Sequence, residues 1–481
     1  MVRNRIISIL LAAVLPLSGC SAIKSLTYKA SGGRISPGTE YESTIPEASQ
    51  STVADRLPDA TPIDMGRVKT VHDTVTVTRT LTRTDTLYRR VRGNVKPGIE
   101  VLRERGFAGL VGKRVGLLTN PSGVDRHMNS TVDILFNAPG VQLKAIFAPE
   151  HGARGDVEAG GYVSSYTDKR TGLPVYSMYG ETRKPTPAML KGLDIVVYDI
   201  QDVGTRSYTF ISSLGLMMQA CAEQGIDVMV LDRPNPLGGL KVEGPLVEQP
   251  FNSFVSQYRI PYVYGLTVGE LAGLINEEGL NRGQKGLDAP LKCNLTVIPM
   301  EGWERDMLFA DTGLQWILPS PNIPFPETAV CYPAAGLCGE FNGYLQIGIG
   351  FLPFGVFAAE WIDADVLKSK LDSWHIPGTS FRTIHYSRSG KSLQGVQYFF
   401  TDYEAATVTL TQFYVMQAVY ELYKKDPFKI SPGRIEMFNK VCGTDYVSAT
   451  FRKSFRVSDI TPFWNKDVEA FRKLSKRYYL Y

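Results

Sequence analysis

Five strand-length apolar runs, at residues 114–119, 141–147, 174–179, 193–198 and 227–231, constrain this chain more than any other feature. They lack the polar alternation of a half-exposed strand. A strand of that kind is covered on both faces, which is the habit of parallel sheets. Helical stretches at about 130–137 and 207–224 fall between them in the βαβ manner. The expected fold class is therefore α/β, with a parallel sheet covered by helices. Beyond Gly286 the pattern changes to short strands (295–299, 397–400), a Pro/Gly-rich centre and helices at about 411–425 and 466–477. This reads as a smaller α+β domain over 286–481. Thr267-Val-Gly-Glu270 is a capping box that opens a helix reaching to about Glu278.

Open parallel sheets bind ligands outside the carboxyl ends of their strands. Here those ends carry Asn120-Pro-Ser-Gly123, Ala148-Pro-Glu-His-Gly152, Asp199-Ile-Gln-Asp-Val-Gly204 and Asp232-Arg-Pro-Asn-Pro236. Asn120, Glu150, His151, Asp199, Gln201, Asp202, Asp232, Arg233 and Asn235 should thus gather on one rim. Glu150 sits between Pro149, which stiffens the turn, and Gly152, which lets backbone pass close to a ligand. Partial burial and neighbouring carboxylates would lift its pKa into the range of a general acid; the plainer alternative is a residue that caps the turn. His151 is a second acid/base group, a substrate ligand or the orienter of Glu150. Asp199, Gln201 and Asp202 suit sugar hydroxyls, with Asp202 also placed to cap the helix that follows. Two carboxylates at this spacing are weak evidence for a cation. Arg154 and Arg206 are either anchors for a substrate carboxylate or solvated surface groups.

Several functions are excluded. No Gly-x-Gly-x-x-Gly, P-loop or Gly-x-Ser-x-Gly motif is present, so no nucleotide cofactor or serine nucleophile has support. The net charge of +4 is dispersed and gives no case for nucleic acid. Cys221, Cys293, Cys331, Cys338 and Cys442 are scattered without metal-binding spacing. They leave open a Cys331–Cys338 disulfide or buried free thiols. No metal and no cofactor are expected.

The N-terminus has its own logic. Arg3 and Arg5 precede an apolar stretch, 6–17, too short to span a bilayer, and Leu17-Ser-Gly-Cys20 follows. This has the form of a lipobox, so residues 1–20 read as a signal with Cys20 as the lipidated residue. The expectation is a cell-envelope lipoprotein, anchored in the outer membrane. Residues 21–95, rich in Ser, Thr, Pro and Gly, read as a low-complexity tether. The alternating stretch 71–88 in it is either a lone extended strand or a stalk.

Taken together, the motifs resemble one family. They are Lys113-Arg-Val-Gly-Leu-Leu-Thr-Asn-Pro-Ser-Gly-Val-Asp125, Pro149-Glu-His-Gly152 with Arg154, Thr171-Gly-Leu-Pro-Val-Tyr-Ser177, Asp199-Ile-Gln-Asp-Val-Gly204 with Tyr208, Leu231-Asp-Arg-Pro-Asn-Pro236, Val242-Glu-Gly-Pro245 and Pro319-Ser-Pro-Asn322. From about residue 97 onwards the chain is similar to the DUF1343 family, which includes exo-β-N-acetylmuramidases of NamZ type. The resemblance implies a Rossmann-like catalytic domain over 96–285 and an auxiliary domain over 286–481. It implies removal of N-acetylmuramic acid, or a related amino sugar, from non-reducing ends of peptidoglycan fragments. Glu150 is then the best catalytic candidate. Its partner is open among Glu158, Asp199, Asp202 and Asp232, or the sugar's own acetamido group takes that part. Arg206, Tyr208, Glu243 and Asn322 join the substrate-binding candidates. The chain departs from many members at Tyr264-Gly-Leu-Thr267, where they carry a His-Gly-Met-Thr type motif, and at 339–350. These departures motivate an alternative: a non-catalytic envelope lipoprotein that binds cell-wall saccharides.

Overall fold

The structure, a computed structural model, describes residues 93–150, 152–155, 165–179, 182–280, 290–350, 352–388 and 390–481. Cys20, residues 21–92 of the expected tether with its alternating stretch 71–88, His151 and Glu158 lie outside the described residues. Val95, at the tether's expected end, is instead buried in the fold, its N–H donating to the Thr312 carbonyl at 3.1 Å. All described residues belong to one compact unit, Thr78–Tyr481.

The first region is built on a seven-stranded sheet. Its strands are β1 (Arg114–Thr119), β2 (Gln142–Ala148), β3 (Tyr166–Thr167), β4 (Pro174–Ser177), β5 (Ile195–Asp199), β6 (Asp227–Leu231) and β7 (Leu295–Ile298), in the order β3-β4-β2-β1-β5-β6-β7. Every neighbouring pair is parallel except β3 with β4. Successive residues of each strand feed opposite faces, as the pleat requires. Leu118, Phe147, Val196, Tyr198 and Val230 pack on one face. Leu117, Ala148, Val197, Met229 and Leu231 pack on the other. Helices α1 (Gly98–Glu104) and α2 (Thr131–Phe136) cover the second face, while α3 (Pro187–Leu190), α4 (Phe210–Gln224) and α5 (Val268–Glu278) cover the first. A strand sealed on both faces needs no polar alternation, which is why the apolar runs were readable.

Strand order places the switch point between β1 and β5. The chain runs outward from β1 to β2 and β4, then crosses back to the other flank of β1. The loops after β1 and β5 therefore leave toward opposite faces, α2 on one and α4 on the other, and part to form a crevice.

The second region holds α6 (Pro326–Gly339), a three-stranded antiparallel sheet ordered β8-β10-β9 from β8 (Val356–Ala359), β9 (Thr379–Arg388) and β10 (Lys391–Phe400), and then helices. These are α7 (Ala364–Asp372), α8 (Thr411–Tyr423), α9 (Pro427–Ile430), α10 (Ile435–Cys442), α11 (Tyr446–Ser454), α12 (Val457–Asn465) and α13 (Val468–Ser475). Phe357, Leu367, Val396, Phe413, Phe438 and Trp464 centre its core.

One further expectation changes, and one open alternative is decided. Leu295–Ile298, assigned to the second domain, pairs in parallel with β6 from Val228↔Leu295 to Leu231↔Ile298. The open edge of β6 and the crossover helix α5 make a further βαβ unit, so the first region extends past residue 286. The cysteines at 331 and 338 are both free thiols, as are Cys221, Cys293 and Cys442.

Candidate active site

Glu150 follows β2 directly, at the carboxyl edge of the sheet. Gly152 takes a φ of 78°, a left-handed conformation that suits glycine, and its N–H donates to the Pro149 carbonyl at 3.3 Å. This tight turn holds the Glu150 side chain half-buried. Its carboxyl hydrogen-bonds the phenol of Tyr179, two residues beyond β4. Burial first, then the charge and hydrogen bond of Glu150, raise the Tyr179 pKa, and Arg183 opposes them. The field of Glu150 also reaches the phenols of Tyr208 and Tyr332. Those two rings meet edge to face at 5.7 Å, and Tyr332 meets Phe354 the same way at 5.0 Å. An aromatic wall thus runs from the first region into the second, with Glu150 beside it.

Asp202 approaches the same wall from the β5 loop. It is 6% exposed. Its Oδ2 accepts the Gly204 N–H at 2.8 Å and the phenol O–H of Tyr264. Its Oδ1 is buried and has no hydrogen-bond partner among the described residues. Burial pushes its pKa up to about 6, while the Tyr264 hydroxyl and the N–H groups of Gly204 and Val203 hold it from rising further. Its charge reaches Tyr198, Tyr208, Tyr264 and Tyr332. Glu150 and Asp202 therefore act on the same two phenols, Tyr208 and Tyr332. Gly204 makes this loop feasible, since a Cβ there would fall 2.2 Å from Asn235 Oδ1.

The remaining rim residues do gather, but most are occupied with one another. Asp199 accepts from Arg233 Nε at 2.5 Å and Nη2 at 2.8 Å, and from the Thr131 hydroxyl. Asp232 accepts from Thr267 Oγ1 and Gly269 N–H at 2.7 Å each and from the Tyr481 phenol at 2.7 Å. Asn120 Oδ1 accepts from the Ser122 N–H, and its Nδ2 donates to the Pro319 carbonyl at 3.3 Å. Gln201 Nε2 donates to the Asp202 and Pro234 carbonyls, and Asn235 Nδ2 to the Leu266 carbonyl at 2.9 Å. Asn322 is exposed, on the loop that also carries Ser320 beside the Tyr208 phenol.

Three expected substrate contacts prove structural. Arg206 is fully buried, donating to the carbonyls of Pro245, Ile260, Val441 and Cys442 at 2.7–3.1 Å. A guanidinium spent on four carbonyls has no fork left for a substrate carboxylate. Glu243 accepts from the N–H groups of Val408 and Thr409 at 3.1 and 2.9 Å and from the Thr409 hydroxyl. Arg154 holds Asp168 at 2.7 Å and Asp133 at 3.1 Å, and this pairing draws the Asp168 pKa down to about 2. Among the described residues no group of His, Cys, Asp and Glu is placed to hold a metal ion. A cavity of about 1040 Å³, lined by Leu216, Leu246, Phe254, Tyr258, Leu274 and Phe471 among others, does not include these rim carboxyls. Arg183, 4.3 Å from the Phe254 ring centroid, contributes to both it and the Tyr179 surroundings.

Comparison with known proteins settles the relationship. Residues 115–327 match the N-terminal domain model of the exo-beta-N-acetylmuramidase NamZ, and residues 330–481 match its C-terminal model. The chain belongs to the NamZ family. The peptidoglycan beta-N-acetylmuramidase NamZ of Bacillus subtilis (strain 168) is 42% identical over 393 residues, covering 80% of this chain and 91% of that protein. A DUF1343 family protein from Bacteroides fragilis NCTC 9343 is 50% identical, with a TM-score of 0.75 over 81% of this chain and 100% of its own. A second from the same organism is 29% identical, with a TM-score of 0.63 over 81% and 99%. The two NamZ models meet between residues 327 and 330, at the start of α6, which agrees with β7 belonging to the first region.

Within this NamZ fold, sequence reasoning missed Tyr179, Tyr332 and Phe354. Tyr179 was within reach of the strand-end rule, since it follows β4 on the same edge. Tyr332 and Phe354 come from the second region and carry no local signal. The divergent 339–350 loop has its own anchor: Glu340 pairs with Arg434 at 2.5 Å. Tyr264 supplies the donor to Asp202.

Proposed function

We propose that this chain is a peptidoglycan glycosidase, exo-acting on non-reducing ends to release N-acetylmuramic acid or a related amino sugar, with Glu150 as general acid. The observation that carries the reading is the position of Glu150. Its carboxyl is half-buried after β2, hydrogen-bonded to Tyr179 and set beside the Tyr208–Tyr332 wall. A carboxyl in such a place can protonate a glycosidic oxygen while the aromatic wall packs the sugar. The activity in the names of the B. subtilis relative and of both family models supports the substrate class. His151 next to Glu150 and the exposed Asn322 are further substrate contacts in this reading, as is Glu158. Cys20 is the lipidated residue of an envelope lipoprotein held at the outer membrane, with a peptidoglycan-derived saccharide as its partner. Mass spectrometry of the mature N-terminus should find a diacylglyceryl-modified Cys20.

Digestion of defined muropeptides by the wild type and by Glu150→Gln tests the chemistry. The wild type should release the terminal amino sugar. The Gln variant should lose about 10²- to 10⁴-fold in kcat, the usual contribution of a positioned proton donor. Unimpaired release by the variant would remove Glu150 from the reaction. Saccharide binding by the wild type with no product would replace catalysis with a binding role.

A further inference from the structure

We propose that Asp202 recognises the 2-acetamido group of the sugar, its Oδ1 accepting the amide N–H. This rests on the glycosidase reading above and adds the residue that reads the sugar's nitrogen.

The argument begins with an imbalance inside one carboxyl group. Oδ2 takes the Gly204 N–H and the Tyr264 hydroxyl, and the Val203 N–H also acts on the carboxyl. Oδ1 is buried just as deeply and takes no hydrogen bond from the described residues. Buried polar atoms are seldom left that way, and one that persists calls for an explanation. What fits is a donor, because the oxygen can only accept while the group is ionised. The surroundings narrow the ligand. The charges of this carboxyl and of Glu150 both reach the phenols of Tyr208 and Tyr332, so a sugar packed against those rings would meet one carboxyl with its leaving oxygen and the other with a neighbouring substituent. An acetamido group offers an N–H for Oδ1 and a methyl for the rings. A hydroxyl or an ester in its place offers no N–H.

The competing carboxyls of the rim do not present such an atom. Asp199 is held by Arg233 and Thr131, and Asp232 by Thr267, Gly269 and Tyr481. The charged and titratable groups facing Asp202 are Tyr198, Tyr208, Tyr264 and Tyr332, with Glu150 across the wall.

The fixed partners of Oδ2 make the test specific. In Asp202→Asn, the Gly204 and Tyr264 donors require an oxygen, so the amide nitrogen must take the Oδ1 position. One acceptor becomes a donor, and the internal hydrogen bonds survive. Calorimetry on the full chain would measure N-acetylmuramic acid against its 2-O-acetyl counterpart, in which an ester oxygen replaces the amide N–H. The wild type should prefer the amide by about tenfold or more, as expected for a hydrogen bond to a charged group. In Asp202→Asn the preference should fall to within about twofold, through weaker amide binding. Retention of the preference, or equal weakening of both ligands, would overturn the assignment. Binding of neither ligand by the wild type would instead remove the sugar reading itself. Tyr264→Phe gives a second route that keeps Asp202. A proton on Asp202 must sit on Oδ1, because Oδ2 already accepts two donors, so the amide preference should fade as pH drops through about 6. Loss of the Tyr264 donor should move that fade to higher pH; an unmoved fade would count against Asp202.

Discussion

At the scale of single residues, the chain spends most of its polar rim on its own architecture. Arg206 is the clearest case. Its guanidinium is sealed from solvent, and burial brings its pKa down to about 10, yet four carbonyls depend on it. Arg206→Met should cost about 3–5 kcal/mol in urea unfolding, the usual loss when one side of a buried charged network is removed. Arg206→Lys should recover little of this, since a point-like ammonium cannot span carbonyls from three separate segments. Sequence could not reveal this role, because an arginine at a strand-end loop reads the same whether it faces ligand or backbone. Asp202 gives a prediction with a definite sign. Its folded pKa of about 6 stands above the ordinary 3.8. The stabilisation from keeping it protonated is therefore complete below 3.8 and lost as pH rises through about 6. The full effect is about 3 kcal/mol, of which about 1 kcal/mol falls between pH 5 and 7. Asp202→Asn cannot ionise, so the stability gap between it and the wild type should shift in the variant's favour by that amount from pH 5 to 7. A constant gap in denaturant titrations at the two pH values would contradict the buried, ionisable state of Asp202.

At the scale of elements, legibility followed locality. The capping box of α5 needs only four consecutive residues, and it is present as read: Thr267 Oγ1 accepts the Glu270 N–H at 3.3 Å while Glu270 Oε2 accepts the Thr267 N–H at 3.0 Å. The sealed strands were equally visible, because their lack of alternation is a property of each run alone. β7 was misplaced because Leu295–Ile298 is short and its meaning lies in an edge 67 residues away, as in the Leu231↔Ile298 pair, which no local pattern encodes. The aromatic wall failed for the same reason, since Tyr332 belongs to α6 and Phe354 to the loop before β8. The α5 cap also shows how an element end is tied to the site. The Thr267 hydroxyl donates to Asp232 at 2.7 Å, and the Gly269 N–H binds the same carboxyl. Thr267→Ala should therefore lose more than an ordinary cap, about 2–3 kcal/mol, because Asp232 is left short of a donor as well. Thr267→Ser keeps the hydroxyl and should stay within about 1 kcal/mol of the wild type. Equal losses in the two variants would assign the effect to the missing methyl group rather than to the cap.

At the scale of the whole molecule, the two regions are joined by buried polar contacts as well as by apolar packing. Glu243 in the first region receives three donors from Val408 and Thr409 in the second. Arg206 reaches the carbonyls of Val441 and Cys442, Lys241 those of Tyr403 and Ala406, and the Tyr481 phenol returns to Asp232. Buried donors and acceptors that cross a seam make separation costly, since each must be abandoned at once. The wild type should therefore unfold in one calorimetric transition, with calorimetric and van't Hoff enthalpies in a ratio near 1. Glu243→Ala would leave two buried N–H groups and a hydroxyl without acceptors. It should cost about 3–5 kcal/mol and raise that ratio above 1 as the regions begin to melt apart. The site spans the same seam, because Glu150 lies on the first region and the Tyr332–Phe354 part of its wall lies on the second. Loosening the seam displaces that wall without altering any group near Glu150. Glu243→Ala should thus lower kcat/KM for the released sugar well below its own melting temperature, whereas Lys368→Ala, which removes an exposed i,i+4 pair with Asp372 far from the seam, should leave both stability and turnover nearly unchanged. A Glu243 variant that unfolds in a single transition with wild-type turnover would mean that apolar packing alone carries the joint.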